Sequence, residues 1–205
     1  MLTIVLVLMA YLIGSVSFAL LVSKIFQIPD PRTFGSKNPG ATNMLRSGKK
    51  IAAAVTLLGD GAKGWFAVYL AQHFADPQFF VDWVIGATGC AVILGHMFPV
   101  FFRFSGGKGV ATAAGVLFGF NLLLGGFATL LWVIVFAITR ISSLSALIAT
   151  AAAPLAAIII FEFNVVYPFA ALIVAMLIFL RHKTNIHNLL SGKEGKIAKA
   201  KKPDS

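Results

Sequence analysis

An all-α fold that crosses a membrane about seven times is predicted by composition, by the length of the apolar runs and by the distribution of charge. Of the 205 residues, 59% are hydrophobic and 12% are charged, and the mean hydropathy is +0.90. Soluble domains carry roughly 25% charged residues. A polytopic integral membrane helical bundle is therefore the expected class, because helices satisfy their own backbone groups in lipid. We expect residues 1–205 to form one membrane-embedded domain.

The first apolar run predicts the first span. Residues 1–22 carry no charged side chain. At 1.5 Å per residue they reach ~33 Å, enough to cross a hydrocarbon core of ~30 Å. A signal peptide begins with positive charge, whereas here Lys24 is the first positive charge and follows the run. The run is therefore predicted to be a span, with the N-terminus outside the cytoplasm.

The later apolar runs set the number of crossings. These runs are residues 51–72, 79–102, 109–139, 141–161 and 163–180. The run 109–139 would form a helix of ~46 Å, longer than one span requires, and turn residues such as Gly119, Asn121 and Gly125 lie inside it. Two crossings here give seven spans. One crossing here, with residues 141–180 as one broken segment, gives five.

The distribution of positive charge supports seven crossings. The stretches then placed on one side are the predicted cytoplasmic loops 24–50, 103–108 and 140–142 and the basic tail 181–205. They hold 16 of the 17 Lys and Arg residues, as expected of cytoplasmic segments. We therefore predict a cytoplasmic C-terminus. The tail is expected to attract anionic membrane lipids, and nucleic acid is not a predicted partner because the basic residues lack a recognised reading module.

The first cytoplasmic loop has the composition of an oxyanion-binding site. Residues 30–50 read DPRTFGSKNPGATNMLRSGKK. Glycines such as Gly40 let backbone amides converge, Ser36 and Asn43 add neutral donors, and Arg46 adds a planar charged fork. A solvated surface loop is the alternative interpretation. The loop is predicted to bind a phosphate or a similar anion.

The second loop, FSGGKGVAT, combines glycines with one cation. Gly106, Gly107, Lys108 and Gly109 precede an apolar run that should be helical. A phosphate there would meet amide groups, the positive end of the helix dipole and the lysine. The stretch is not a Walker A loop, which requires a glycine where Phe102 stands and a hydroxyl after the lysine. A simple turn between spans is the alternative.

Two further sets of polar residues are candidates for function. His182 and Asn185 follow the last apolar run and share a face if its helix continues. Asp60 and Lys63, within the second run, are charged at membrane depth and lie three residues apart, so they can form an ion pair or bind substrate. No cluster of His, Cys, Asp or Glu in the cytoplasmic stretches has metal-ligand spacing. No metal or other cofactor is predicted.

These motifs, in this order, resemble the bacterial acyl-phosphate:glycerol-3-phosphate acyltransferases, the PlsY family. The resemblance covers nearly the whole chain and rests on GSVSFALLVSK, DPRTFGSKNPGATNMLR, GDGAKG, GHMFPVFFRFSGGKGVAT and RHKTNIHNLL. It implies an enzyme of the bacterial inner membrane with a cytoplasmic active site. Its implied reaction transfers a fatty acyl group from acyl-phosphate to the 1-hydroxyl of sn-glycerol 3-phosphate. The products are lysophosphatidate and inorganic phosphate, in the first acylation step of phospholipid biosynthesis.

The resemblance and the chemistry of the motifs together assign site residues. Catalytic roles are expected for Ser36, His182 and Asn185. Substrate-phosphate binding is expected for Asn43, Arg46, Gly106, Gly107, Lys108, Gly109 and Ser143. Structural or supporting roles are expected for Gly40, Asp60, Lys63 and Glu194. The pathway also implies functional coupling to an acyl-phosphate-forming acyltransferase.

Two questions stay open at this point. The proton of the acceptor hydroxyl could pass to His182 or to a phosphate oxygen of a bound substrate, and the phosphate is favoured because the loops supply no carboxylate to orient a histidine base. The second question is function class. An anion transporter would place charges along a path near the midplane in matched halves, and a scaffold would leave the three polar loops unexplained.

Overall fold

The computed structural model describes residues 2–78 and 80–196, and within these ranges every regular element is helical. Ten α-helices follow one another: α1 (Leu2–Ser15), α2 (Phe18–Ile25), α3 (Ala41–Leu45), α4 (Lys50–Phe74), α5 (Val81–Met97), α6 (Val110–Phe120), α7 (Leu122–Thr139), α8 (Ser142–Phe161), α9 (Val166–Arg181) and α10 (Lys183–Leu190). A 3₁₀ turn, Val100–Phe102, follows α5. The all-α class is confirmed.

Among the residues that the structure describes, five helical stretches are long and apolar enough to cross a membrane. They are Leu2–Ile25, Lys50–Phe74, Val81–Phe102, Leu122–Thr139 and Ser142–Phe161. The pair α9 and α10, bent by 67°, would make a sixth. Helix α6 has 11 residues and so reaches only ~16 Å. The structure therefore supports a membrane protein with five or six candidate spans, while the count of seven and the orientation of the termini remain predictions. Lys199, Lys201 and Lys202 of the basic tail lie outside the described residues.

The long apolar run 109–139 is divided at Asn121. The Asn121 side-chain oxygen accepts hydrogen bonds from the amides of Leu123, at 2.8 Å, and Leu124, at 3.4 Å. These bonds satisfy amides that the first turn of α7 cannot pair internally. Beyond the break, Gly125 packs directly on the ring of Phe118, so α6 and α7 lie against each other. The predicted division of this run is thus observed.

Two pairs of helices pack with their backbones in contact. A Cβ atom at Gly95 of α5 would lie 2.1 Å from the carbonyl oxygen of Tyr11 in α1. A Cβ atom at Gly115 of α6 would lie 1.9 Å from the carbonyl oxygen of Gly61 in α4. Small residues permit this approach, which membrane helices use because burial of apolar surface gives no driving force in lipid. These contacts hold α1 on α5 and α4 on α6.

An ion pair inside the bundle supports the interruption between α1 and α2. Lys63 Nζ lies 3.1 Å from Asp60 Oδ1, and both side chains are 3% exposed. The same ammonium group donates to the carbonyl oxygens of Gly14, at 2.9 Å, and Val16, at 2.6 Å. These carbonyls lie where the first helix ends and would otherwise lack a donor. Asp60 and Lys63 thus form the pair that their spacing permits, and the pair holds α4 against the first span.

Replacing Lys63 with methionine should destabilise the protein strongly. Lys63→Met leaves Asp60 as an unpaired buried charge and removes the donor to two carbonyls, so we expect a loss of about 3–5 kcal/mol in the free energy of unfolding. Thermal unfolding in detergent measures the loss. Asp60→Asn combined with Lys63→Met should recover part of it, whereas Lys24→Met, at an exposed position, serves as the control. An unchanged melting temperature for Lys63→Met would contradict the prediction.

Candidate active site

One cavity of about 490 Å³ connects the polar loops with the interior of the bundle. Polar side chains from loops and helix ends line one part: Ser36, Asn38, Thr42, Arg46, Lys108, Ser142, Ser143, His182, Asn185 and Glu194. Apolar side chains from α4, α6, α7 and α8 line the other part: Ala53, Ala54, Leu57, Ala113, Ala114, Leu117, Ala128, Val133, Phe136, Ala146 and Ala149. Leu57 and Val133 are also exposed at the surface, so the apolar part opens through the side of the bundle.

A chain of hydrogen bonds joins three separate segments in the polar part. Lys108 Nζ donates to Asn185 Oδ1 at 2.5 Å, and Asn185 Nδ2 donates to Glu194 Oε1 at 2.5 Å. The same Glu194 oxygen accepts from the hydroxyl of Ser143 at 2.5 Å. Lysine has three N–H donors, so Lys108 keeps two for a ligand. The arrangement fixes the ammonium group of Lys108 next to the N-terminus of α6.

Ser143, which the sequence predicts to be a phosphate ligand, forms a hydrogen bond with Glu194 in the structure. A serine hydroxyl has one hydrogen, and Ser143 donates it to the carboxylate of Glu194. A phosphate at this position would have to replace that hydrogen bond, so the phosphate-binding role of Ser143 stays a prediction. Ser143 anchors Glu194 to the start of α8. Glu194 in turn accepts a hydrogen bond from Asn185, and the supporting role expected of Glu194 stays a prediction.

The charges of this network influence one another. Burial lowers the pKa of Lys108 from its usual value, and the carboxylate of Glu194 partly offsets that effect. Burial also disfavours the charged form of Glu194, but hydrogen bonds from Ser143 and Asn185 outweigh it, so the pKa of Glu194 lies below its usual value. Glu194 therefore stays ionised at neutral pH and keeps its side-chain bonds.

His182 lies in the bend between α9 and α10, with 2% of its surface exposed. Its Nδ1 lies 2.8 Å from the carbonyl oxygen of Ile178. A carbonyl only accepts, so Nδ1 carries the hydrogen and Nε2 of the neutral ring presents a lone pair. Burial lowers the pKa of His182 to about 4, and the positive charge of Lys108 acts in the same direction. The imidazole is thus a neutral hydrogen-bond acceptor at pH 7.

The turn formed by Gly106 and Gly107 is held by hydrogen bonds to other parts of the protein. Gly106 and Gly107 are buried and do not line the cavity. Arg181 donates to the carbonyl oxygens of both, at 2.9 Å and 3.2 Å, and the Gly107 amide donates to the carbonyl oxygen of His96 at 3.1 Å. That amide is therefore unavailable to a phosphate. Gly109 does line the cavity and begins α6 with φ +83°, a conformation that favours glycine.

The first loop is organised around Asn43, which is 1% exposed. Both hydrogens of its amide group are used within the loop, because Nδ2 donates to the carbonyl oxygens of Pro31 and Phe34. Its Oδ1 accepts from the amide of Ser36 at 2.9 Å. Asn43 therefore shapes the loop, and its predicted contact with a phosphate stays a prediction. Ser36 and Arg46 remain exposed and line the entrance of the cavity, while Gly40 caps the start of α3.

Two residues near the site were not among the predicted ones. Arg181 holds the glycine turn and lies over the ring of Phe98, 5.3 Å from its centroid. His96, in the last turn of α5, lines the cavity beside Asp60. No local pattern identifies them, because Arg181 resembles an ordinary charged residue at the end of a span and His96 stands alone in an apolar helix. In the ranges described, no group of three or more His, Cys, Asp or Glu side chains is placed to hold a metal ion.

The bundle and its cavity define an integral membrane protein with a polar site at one end of a laterally open apolar cavity. Residues 4–192 match the family described as glycerol-3-phosphate acyltransferase. The chain therefore belongs to the glycerol-3-phosphate acyltransferase family. It is 51% identical over 200 residues to the glycerol-3-phosphate acyltransferase of Nitrosomonas eutropha, covering 98% of this chain and 100% of that protein. The Methylobacillus flagellatus protein of the same description is 55% identical over 195 residues, 95% of this chain and 97% of that protein.

Solved structures of the family have the same fold. The glycerol 3-phosphate form of PlsY, an integral membrane glycerol 3-phosphate acyltransferase, superposes with a TM-score of 0.87 at 38% identity and covers 96% of each chain. The lysophosphatidic acid form of PlsY gives a TM-score of 0.86 at 37% identity, covering 96% of this chain and 95% of that one. The resemblance seen in the sequence is confirmed at the level of family and fold.

The depressed pKa of His182 predicts acid sensitivity of the fold. Between pH 6.5 and about 4 the unfolded chain binds a proton at this histidine more readily than the folded chain does. Stability is therefore complete above pH 6.5 and falls as the pH drops toward 4, by about 3 kcal/mol for this group. His182→Gln should flatten the dependence of unfolding free energy on pH in that window. His187→Gln, at an exposed position, should keep the wild-type dependence, and equal slopes for all three proteins would contradict the prediction.

Proposed function

We propose that this protein transfers a fatty acyl group from acyl-phosphate to the 1-hydroxyl of sn-glycerol 3-phosphate, releasing lysophosphatidate and inorganic phosphate. Family membership supports the acyl transfer to glycerol 3-phosphate. The observation that carries the choice of donor is the cavity itself. An apolar channel open to lipid ends at Lys108 and at the start of α6, which suits a molecule with an acyl chain at one end and a phosphate at the other.

The donor fits along α6. Its acyl chain would lie between α4 on one side and α7 and α8 on the other, over the alanines of α6. From Val110 to Leu117 the channel follows this helix for ~10 Å. The phosphate would meet the ammonium group of Lys108 and the unpaired amides of the first turn of α6, with the helix dipole adding attraction. This placement directs the acyl carbon toward His182 and Asn185.

The acceptor is soluble in water and fits the open end of the cavity. Arg46 and Ser36 lie there and are exposed. The guanidinium group can hold a phosphate through two parallel hydrogen bonds, and its positive charge reduces the repulsion between two phosphates brought into one site. Glycerol 3-phosphate would therefore enter from the aqueous side, while the donor enters from the bilayer.

The reaction forms one C–O bond and breaks another. The 1-hydroxyl oxygen attacks the acyl carbon, the bond from that carbon to the phosphate oxygen breaks, and the hydroxyl proton moves to a phosphate oxygen. His182 Nε2, as a neutral acceptor, orients the hydroxyl. A histidine with a pKa of about 4 is a weak base, which favours the phosphate as the final proton acceptor. Asn185 holds Lys108 in place beside the leaving phosphate.

The distribution of positive charge and the membership of the family support a proposal for the cellular setting. We place the protein in the bacterial inner membrane, with seven crossings, the N-terminus outside and the polar site on the cytoplasmic side. The positive-inside distribution of Lys and Arg supports this orientation. The fatty acyl donor must be made by a separate acyl-phosphate-forming acyltransferase, and functional coupling to that enzyme is part of the proposal.

Loss of the Lys108 ammonium group should abolish most of the activity. For Lys108→Ala we expect kcat/KM for acyl-phosphate to fall by about 10²–10³-fold, because the leaving phosphate loses its cation. Release of inorganic phosphate and formation of lysophosphatidate by purified protein in lipid give the measurement. Lys183→Ala removes the same charge from an exposed position in α10 and should retain wild-type rates. No transfer by folded wild-type protein would overturn the proposed reaction.

Substitutions of His182 distinguish an orienting group from a base. Glutamine can accept a hydrogen bond but cannot take up a proton at neutral pH. We expect His182→Gln to keep at least about a tenth of kcat, and His182→Ala to lose about 10²-fold. Steady-state kinetics with both substrates provide the test. A glutamine variant as impaired as the alanine variant would instead identify His182 as the general base.

A further inference from the structure

We infer that His96 is a positioning residue of the active site, which acts together with Asp60 through Gly107 on Lys108. The inference rests on the proposed function for the identity of the donor. Its starting point is that the imidazole of His96 lies between a buried carboxylate and the phosphate-binding turn, and that His96 and Asp60 both line the cavity.

One ring nitrogen of His96 faces the carboxylate of Asp60. His96 Nδ1 lies 3.5 Å from Asp60 Oδ1. Asp60 is held by Lys63 at 3.1 Å, and Lys63 is anchored on two carbonyl oxygens of the first span. A carboxylate facing one ring nitrogen sets the orientation of the ring, and so determines where the other nitrogen points. The sequence alone suggested no carboxylate to orient a histidine, and the structure provides one for His96.

The opposite side of the ring meets the turn. A Cβ atom at Gly107 would lie 2.2 Å from His96 Nε2 and 3.0 Å from Cε1, so the ring occupies the space of the missing side chain. The backbone of His96 contributes as well, because its carbonyl oxygen accepts from the Gly107 amide at 3.1 Å. Arg181 holds the other side of the turn by its carbonyl oxygens. Gly107 is thus held from two sides, one residue before Lys108.

The consequence is a line of contacts from the middle of the bundle to the ammonium group. If the ring moves, Gly107 loses its contact with the imidazole and Lys108 is held less firmly, although the backbone bonds of Gly107 and the bond from Lys108 to Asn185 remain. Positioning errors of this kind lower the rate without removing any group that touches substrate. The effect should fall on the acyl-phosphate, whose phosphate meets Lys108, and spare glycerol 3-phosphate at Arg46.

Two substitutions of His96 separate this role from simple packing. His96→Asn keeps an amide near Asp60 but removes the side-chain contact with Gly107, whereas His96→Gln can place a polar atom near the position of Nε2. We expect His96→Asn to lower kcat/KM for acyl-phosphate at least tenfold and to change KM for glycerol 3-phosphate less than twofold. His96→Gln should recover a substantial part of the loss. His73→Ala is the matched control, because His73 is an exposed histidine in the last turn of α4. This variant should show wild-type kinetics.

Binding of a substrate analogue provides a second measurement that does not depend on turnover. A non-reactive acyl phosphonate should raise the melting temperature of the wild-type protein, and that rise should be smaller in His96→Asn than in His96→Gln. Wild-type protein that binds the phosphonate but transfers no acyl group would count against the proposed function, and the size of the shifts would still decide the role of His96. Equal kinetics and equal shifts in both variants and wild type would overturn the inference. The inference would also be overturned by an equal loss of kcat/KM for both substrates that follows the fraction of folded protein.

Discussion

The carboxylate of Asp60 connects parts of the molecule that are distant in sequence. Through Lys63 it contacts the carbonyls where the first helix is interrupted, and directly it faces His96 at the end of α5. Such a charge is costly inside a membrane protein unless it is paired, so the helices that surround it are constrained to remain together. The tight glycine contacts of α1 with α5 and of α4 with α6 act on these same helices. The helices α1, α4, α5 and α6 are thus packed around this charge.

The polar loops are stabilised by contacts with each other and with the helices packed around Asp60. Asn43 closes the first loop on itself, Arg181 holds the glycine turn, and Glu194 joins the segment after α10 to α8 through Ser143. Most donors near the cavity are thereby used inside the protein. The groups that remain available, chiefly Arg46, Lys108 and the first turn of α6, are cationic or carry partial positive charge. The donors that remain available at the cavity therefore favour an anionic ligand.

Much of this architecture could be predicted from the sequence, and the limits have physical causes. Hydropathy located the helices because each must be apolar along its length, and the break at Asn121 followed from turn residues in an overlong run. Glycine, lysine and asparagine motifs identified loops whose side chains line the cavity. Their individual roles were harder to predict: Gly107, Asn43 and Ser143 use their hydrogens on protein groups, and such pairings depend on residues far away in the chain. His96 was missed because its partner, Asp60, lies on another helix.

The cavity opens beside Leu57 and Val133. The two proposed substrates therefore reach the site by different routes, one by diffusion in three dimensions and the other by diffusion in the two dimensions of the membrane. Glycerol 3-phosphate approaches through water, and its saturation depends on molar concentration. The acyl donor approaches within the plane of the bilayer, and its saturation depends on its mole fraction among lipids. Adding inert phospholipid at constant amounts of enzyme and donor therefore dilutes one substrate and not the other. The composition of the membrane, as well as the supply of donor, becomes a variable in the rate law of the enzyme.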